Sequence, residues 1–383
     1  MGRLRYLTAG ESHGAALLGI VEGLPAGVPV AADSIARELS RRRMGYGRGP
    51  RMAIEKDDFE IVAGVRGGFS LGSPLGIVIH NTEKEKWAHV MPVEGAPGGR
   101  PLTRPRPGHA DLPGMQKYGF TDARNVLERA SARETAARVA LATPVRSMLR
   151  ELGIVVVSHV LAIGDAATAS DRIPGPEDLD TVDESAVRCF DDAGTAAMVD
   201  AIEKAAAEGD SLGGLVEVIA YGVPTGLGSH VHWDRKIDGR LAGALMAVPA
   251  IKGVSIGDGF EIARTLGSSA HDEIETDLRR TTDRAGGTEG GMTIGGTLRV
   301  RAAMKPLSTL KKRLRTVDLA TGDPADAFQE RTDVCAVPAA AVVCESVVAL
   351  VLGDALLEMF GGDTLADLSD RVESFSRRIR GDR

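Results

Sequence analysis

Cysteine is scarce in this 383-residue chain: only Cys189, Cys335 and Cys344 occur, and no two form a CxxC pair. An odd, unpaired count provides no disulfide framework and fits a reducing cytoplasm. Aromatic residues make up only 4% of the chain, and Tyr46 alone falls within the Arg41–Arg51 cluster. With a net charge of -7, that argues against a nucleic-acid partner. The sequence contains no GxGxxG, no GxxxxGK[ST] and no HExxH, so a Rossmann site, a P-loop and a zincin site are not expected. The eight histidines show no metal-ligand spacing, and no metal is expected. The opening MGRLRYLTAGES lacks the apolar core of a signal sequence. The most hydrophobic stretch, Val337–Phe360, carries Glu345, Asp354 and Glu358. Those charges are costly in lipid, so a buried core helix is expected and no membrane partner. No linker divides the chain, which predicts one domain over residues 1–383 with a polar tail from about residue 370.

Hydrophobic content is 43%, enough for a large core. Leu4–Ala9 reads as a strand running into a turn, and Glu60–Val65, Leu75–His80 and Ile154–Ile163 also read as strands. Leu215–Gly222 and Thr297–Met304 alternate like strands with one buried face. Asp33–Met44 reads as a helix capped by Asp33 or Ser34 and ended by Gly45. Ser131 and Glu134 fit a capping box before a helix through Leu141, Val145, Met148 and Leu152. Pro144 is expected to kink or divide that helix. Thr195–Glu208, Asp234–Val248 and Val337–Phe360 are further helices, and Gly286–Gly296 is a glycine-rich loop. The mixture has no regular βαβα alternation, which predicts an α+β fold.

Several segments combine cations with glycine on a chain that is acidic overall. Gly10-Glu-Ser-His-Gly14 exposes His13, whose imidazole suits proton transfer, at a turn. Arg41, Arg42, Arg43, Arg48 and Arg51 crowd one short stretch with three glycines between them. The first three suit a helix C-terminus, and the last two lie on a loop able to close over a phosphate. Pro105 and Pro107 stiffen a loop presenting Arg104, Arg106, His109 and Asp111. Glu128-Arg-Ala-Ser131 leads into a helix N-terminus, which favours anions. Lys305-Pro-Leu-Ser-Thr309 offers a charge and two hydroxyls. Asp333 is either a cap or a site carboxylate paired with Arg331. The simplest ligand for such a set is small and carries several negative charges.

Taken together, these motifs resemble the chorismate synthase family. The GESHG turn with Leu18-Gly-Ile-Val-Glu-Gly-Leu-Pro25 matches its first signature. Glu128 through Ala136 matches the second, and Arg331-Thr-Asp-Val through Glu345 the third. RRRMGYGRG, TRPRPGHAD, AIKGVSIGDGF and MKPLST fall between them in the family's order. The resemblance implies conversion of 5-enolpyruvylshikimate-3-phosphate to chorismate and phosphate by a 1,4-elimination. Reduced FMN would lend an electron and recover it, with no net redox change. It further implies that His13 and His109 handle protons and that Asp333 assists removal of the ring proton. Arg42, Arg48, Arg104, Arg129 and Arg331 would hold the anionic groups. The flavin would lie against Arg129, Ala130, Ser131, Ala250, Gly290, Lys305, Pro306, Leu307, Ser308, Thr309 and Arg331. The implied fold is a βαβαβ sandwich of two antiparallel four-stranded sheets in the core, flanked by helices, assembled as a homotetramer. The resemblance also associates the chain with NADP, and with no flavin-reductase module in view, an external source of reduced flavin is expected. Three positions depart from the family's usual residues: Pro249 for Gln, Asp283 for Asn, and Val334 for Pro.

Overall fold

The computed structural model describes residues 3–49, 56–330 and 332–380. One four-stranded sheet runs in the order β1 (Arg5–Ala9), β2 (Ala16–Glu22), β4 (Leu75–His80), β3 (Phe59–Ala63), every pair antiparallel. A second, five-stranded antiparallel sheet is built from β5 (Val155–Ile163), β6 (Ala166–Ala167), β7 (Gly214–Tyr221), β8 (Ile251–Ile256) and β9 (Leu298–Met304). Its order is β8-β9-β7-β5-β6. The mixed architecture follows the sequence expectation, but the strand count does not. The fifth strand is a two-residue return of β5 through Gly164-Asp165, too short to leave a sequence signal. Among the described residues, three two-stranded ribbons add to the sheets.

Helices lie between the two sheets, not only outside them. α1 spans Ala32–Arg43, α2 Asp111–Tyr118, α3 Arg124–Ala130, α4 Thr135–Glu151, α5 Asp192–Ala207, α6 Ile237–Met246, α7 Val337–Phe360 and α8 Leu365–Arg380. α4 packs on β2 and β4, α7 packs on β5 and β7, and α4 and α7 pack on each other. The sequence accounts for this order. β2 alternates, turning Leu17, Gly19 and Val21 inward, as a half-buried strand must. α7 is apolar over most of its surface and buried along most of its length, as a core helix is, with Glu345 held inside by arginines. Gly353 sets how closely the central helices meet, because a Cβ there would lie 2.5 Å from Val145.

α4 is unbroken at Pro144. Its flanking residues Val139, Ala140, Leu141, Val145, Met148 and Leu149 are all buried, and that packing outweighs the roughly 3 kcal/mol cost of an interior proline. α1 starts from Ala31 with no side-chain cap, so Asp33 acts only as a first-turn carboxylate, and Met44 closes the helix in place of Gly45. The expected polar tail is largely helix α8. Thr364 Oγ1 accepts the Asp367 amide at 3.1 Å, and Leu368 is buried.

A buried ion network ties the layers together. Arg41 donates to Glu38 at 2.6 Å and Glu345 at 2.8 Å, and Arg146 reaches the same two carboxylates at 2.6 Å and 2.5 Å. Ser158 on β5 donates to Glu345 at 2.6 Å, and Arg188 pairs with Asp183. Burial would raise the Glu345 carboxyl, but Arg146, Arg41 and Arg188 hold it far below the usual carboxylate range.

Candidate active site

A cleft of about 470 Å³ opens where loops from both sheets meet the N-terminal ends of α4 and α7. That volume is in the range typical of small-ligand sites, roughly 300–1,000 Å³. Arg42, Arg48, Arg106, Arg133 and Lys305 line it with His13 and His109, against the carboxylates Glu330 and Asp333. Ala130, Ala132, Pro249, Ala250, Pro306 and Leu307 provide apolar wall, and Ser12, Ser131, Ser308 and Thr309 provide hydroxyls.

His13 sits at the turn between β1 and β2. Its Nδ1 lies 2.9 Å from Glu128 Oε1, and its backbone N–H donates to Glu128 Oε2 at 2.8 Å. Burial would raise the Glu128 carboxyl, but the bonds from His13 and Arg124 outweigh it and hold Glu128 below its ordinary range. The Trp87 ring packs on the imidazole at 4.1 Å. His109 has a matching carboxylate, with Nδ1 lying 2.5 Å from Asp111 Oδ1. Arg106 also pairs with Asp111 at 2.8 Å. Hydrogen bonds from His109 and Arg106 overcome the effect of burial and keep Asp111 well below the usual range.

Asp333 finds its cation in Arg48 at 2.9 Å and accepts the Gly49 N–H at 2.6 Å. Arg331, its expected partner, lies outside the described residues, as does Arg51. The triple arginine divides its work. Arg41 enters the core network, Arg42 lines the cleft, and Arg43 is partly exposed, 3.6 Å from Asp57. Arg42 also pairs with Asp57 at 3.2 Å, and Arg133 shares that carboxylate. Burial pushes Arg42 down to about 10; Asp57 opposes the shift, and the charges of Arg133 and Arg48 add to it. Arg42 Nε is buried with no hydrogen-bond partner.

Ser131 caps as foreseen, accepting the Arg133 amide at 3.2 Å, but Glu134 turns to Arg138 at 2.7 Å instead of closing the expected capping box. The serine caps a short 3-10 turn, Ala132–Glu134, that runs directly into α4. Ala250 holds φ +69°, a left-handed conformation that costs alanine about 1–2 kcal/mol, and accepts the Lys305 amide at 2.9 Å. Strain of this kind is concentrated at functional sites. Lys305 Nζ donates to the Gly108 carbonyl, so the MKPLST and PRPGHAD segments touch.

Three expected residues fall outside the lining. Arg104 is half exposed and pairs with Asp318 at 3.0 Å. Arg129 turns back to Thr8 at 2.8 Å and Gly10 at 3.3 Å. To grip a ligand, either guanidinium would have to leave those partners. Gly290 is exposed at the tip of the Thr288–Glu289 and Met292–Thr293 ribbon. Conversely, the sequence reading placed Arg106 and Asp111 on the stiffened loop without pairing Asp111 to His109, and it assigned no site role to Glu128, Asp57, Arg133 or Trp87. Nothing in the sequence links Asp57 to Arg133.

The cleft can hold a small polyanion against an apolar wall, with two carboxylate-backed imidazoles and one paired carboxylate lining it. Known proteins agree in kind. Residues 4–357 match the family model described as chorismate synthase. A chorismate synthase of Streptomyces coelicolor is 56% identical over 387 residues, covering 98% of each chain. One from Thermobifida fusca is 59% identical over 377 residues, covering 95% of this chain and 96% of that one. A crystal structure of chorismate synthase, 39% identical, superposes with a TM-score of 0.80 over 99% of this chain and 98% of that one.

Proposed function

The chain belongs to the chorismate synthase family, the lyases of the final shikimate-pathway step, and from that premise we propose how its cleft carries out the elimination. The activity converts 5-enolpyruvylshikimate-3-phosphate to chorismate and phosphate. The C–O bond to phosphate breaks, one ring proton leaves, and a second ring double bond forms, so no electrons are gained or lost overall. Enzymes of this family generally depend on reduced flavin.

Arg42, Arg48 and Lys305 hold the carboxylates and phosphates of substrate and FMN. Arg104 and Arg129 act from the rim once freed from their present partners. His13 and His109 keep protons available at the leaving phosphate and beside the flavin. Asp333, its charge balanced by Arg48, assists loss of the ring proton. Ala130, Ser131, Ala250 and Lys305 through Thr309 form the wall that suits FMN, apolar on one side and rich in donors on the other. The unpartnered Arg42 Nε and the excess of cations over carboxylates fit a phosphate-bearing cofactor. When bound, reduced FMN would supply the reversible electron that eases departure of phosphate. Gly290 and Arg331 are left without an assigned contact.

The protein is further proposed to be a single-domain cytoplasmic homotetramer that receives its reduced flavin from an outside source. The outer face of the four-stranded sheet supports self-association. Leu7, Leu18, Ile20 and Val62 are 75%, 49%, 48% and 58% exposed there, with Leu7 opposite Ile20 in register. A contiguous apolar face of this kind favours burial against another chain.

The observation that carries the reading is that His13, His109 and Asp333 share one cationic cleft. The test is anaerobic incubation with substrate and reduced FMN, following chorismate absorbance. Phosphate release with flavin omitted would overturn the flavin assignment; no chorismate under either condition would overturn the reading as a whole.

A further inference from the structure

We propose that Glu128 is the positioning residue for His13, fixing which imidazole nitrogen carries the proton, while Trp87 closes one face of the ring. This rests on the reading of His13 as a proton-handling group and adds the device that orients it.

The geometry holds both ends of the residue. Glu128 accepts the His13 backbone N–H at 2.8 Å, and its two oxygens lie 2.9 Å and 3.1 Å from Nδ1. A carboxylate can only accept, so Nδ1 must carry the hydrogen. The other nitrogen, Nε2, is then left to exchange a proton with a ligand in the cleft. Glu128 is itself held, because Arg124 donates to its Oε1 at 2.9 Å and the Ser12 amide donates to its backbone carbonyl at 3.0 Å. Only 2% of Glu128 is exposed, so water competes little for these bonds. Trp87 lies 4.1 Å from the His13 ring, tilted by 35°, and the Arg124 guanidinium sits 5.0 Å from the Trp87 ring. His13 is thus fixed by a carboxylate at one edge and by an indole on one face. A ring that can neither flip nor change tautomer presents one nitrogen at one place, which is what a positioned general acid or base requires.

The test uses the full-length protein with 15N-labelled histidine, the His13 signals being assigned by their loss in His13→Gln. Two-bond correlation spectra report which nitrogen carries hydrogen in the neutral ring. The expected result is Nδ1–H in the unaltered protein and a shift toward Nε2–H in Glu128→Gln, whose amide can donate to Nδ1. Turnover in Glu128→Gln is expected to fall on the order of 10–100-fold, as when ligand-orienting partners are removed elsewhere. KM should change much less than kcat, and Glu128→Asp should recover part of the loss. Neutral His13 found as Nε2–H in the unaltered protein would overturn the proposal even if no Glu128 variant folds. So would turnover within about twofold of normal in Glu128→Gln, since that is far below the expected loss. Assaying His13→Ala beside it separates the two claims. Normal turnover in that variant removes His13 from the reaction, whereas a slow His13→Ala beside an unimpaired Glu128→Gln removes only the role of Glu128.

Discussion

Arg48 and Asp333 join two segments far apart in sequence, with the guanidinium Nη1 2.9 Å from the carboxylate Oδ2. The second carboxylate oxygen accepts the Gly49 amide at 2.6 Å. No larger residue fits at Gly49, where a Cβ would lie 2.7 Å from the Thr332 carbonyl. The glycine-rich turn after α1 is therefore pinned to the residues that enter α7.

Asp333→Asn keeps an oxygen for Gly49 but removes the charge opposite Arg48. FMN binding, followed by flavin absorbance or fluorescence, should persist. Turnover should drop by about 10²-fold, the lower end of acid–base contributions. Near-normal rates would remove Asp333 from the proton path.

His13→Ala and His109→Ala should each lower kcat by about 10²–10⁴-fold. Circular dichroism and the thermal midpoint should stay close to those of the unaltered protein, because both rings sit at the cleft and outside the apolar core. If both variants turn over normally, the imidazoles have been given the wrong task.

Much of the fold could be read from the sequence because its longest elements carry redundant signals. The apolar run of Val337–Phe360 matches helix α7 from end to end. Ser131 was identifiable as a cap from its residue type and its place before the helical run, although its expected box partner Glu134 pairs with Arg138 instead. The failures occur where tertiary packing overrides a local rule, as at Pro144, or where an element is too short to show a period, as at Ala166–Ala167. The cleft itself was legible in its motifs, since His13, His109, Arg42, Arg48, Lys305 and Asp333 all line it. The supporting carboxylates were less legible. Asp57 meets Arg42 and Arg133 only through the fold, and a long-range ion pair has no local sequence pattern.

Glu345→Gln should destabilise the protein by about 3–5 kcal/mol, because it leaves buried guanidiniums short of a counter-charge. Urea unfolding should show a lower midpoint with an unchanged slope. The folded-state pKa of Glu345 is depressed, so the stabilisation it gives is present above its unfolded value and fades as pH falls towards the folded value. The gap between Glu345→Gln and the unaltered protein should therefore narrow in acid.

Asp283 behaves in the opposite way. Burial, reinforced by Asp272 and Asp258 and opposed by Arg299, pushes its carboxyl up to about 6. The folded state then binds the proton more readily than the unfolded chain, so stability falls as pH rises from about 4 to about 6 and stays lower above. Asp283→Asn should raise stability by about 1–2 kcal/mol at neutral pH and change it little near pH 4. Equal effects at both pH values would show that the charge is not the cause.

The consecutive arginines of α1 have one last consequence. A single helical turn sends Arg41 into the interior network and Arg42 to the ligand cleft, so one rigid rod carries both. Slippage of α1 cannot spare either end: a register shift that unseats Arg41 also withdraws Arg42 from any bound anion. Loss of ligand capture and loss of the native state on heating should therefore coincide at one temperature, with no folded but ligand-blind species between them.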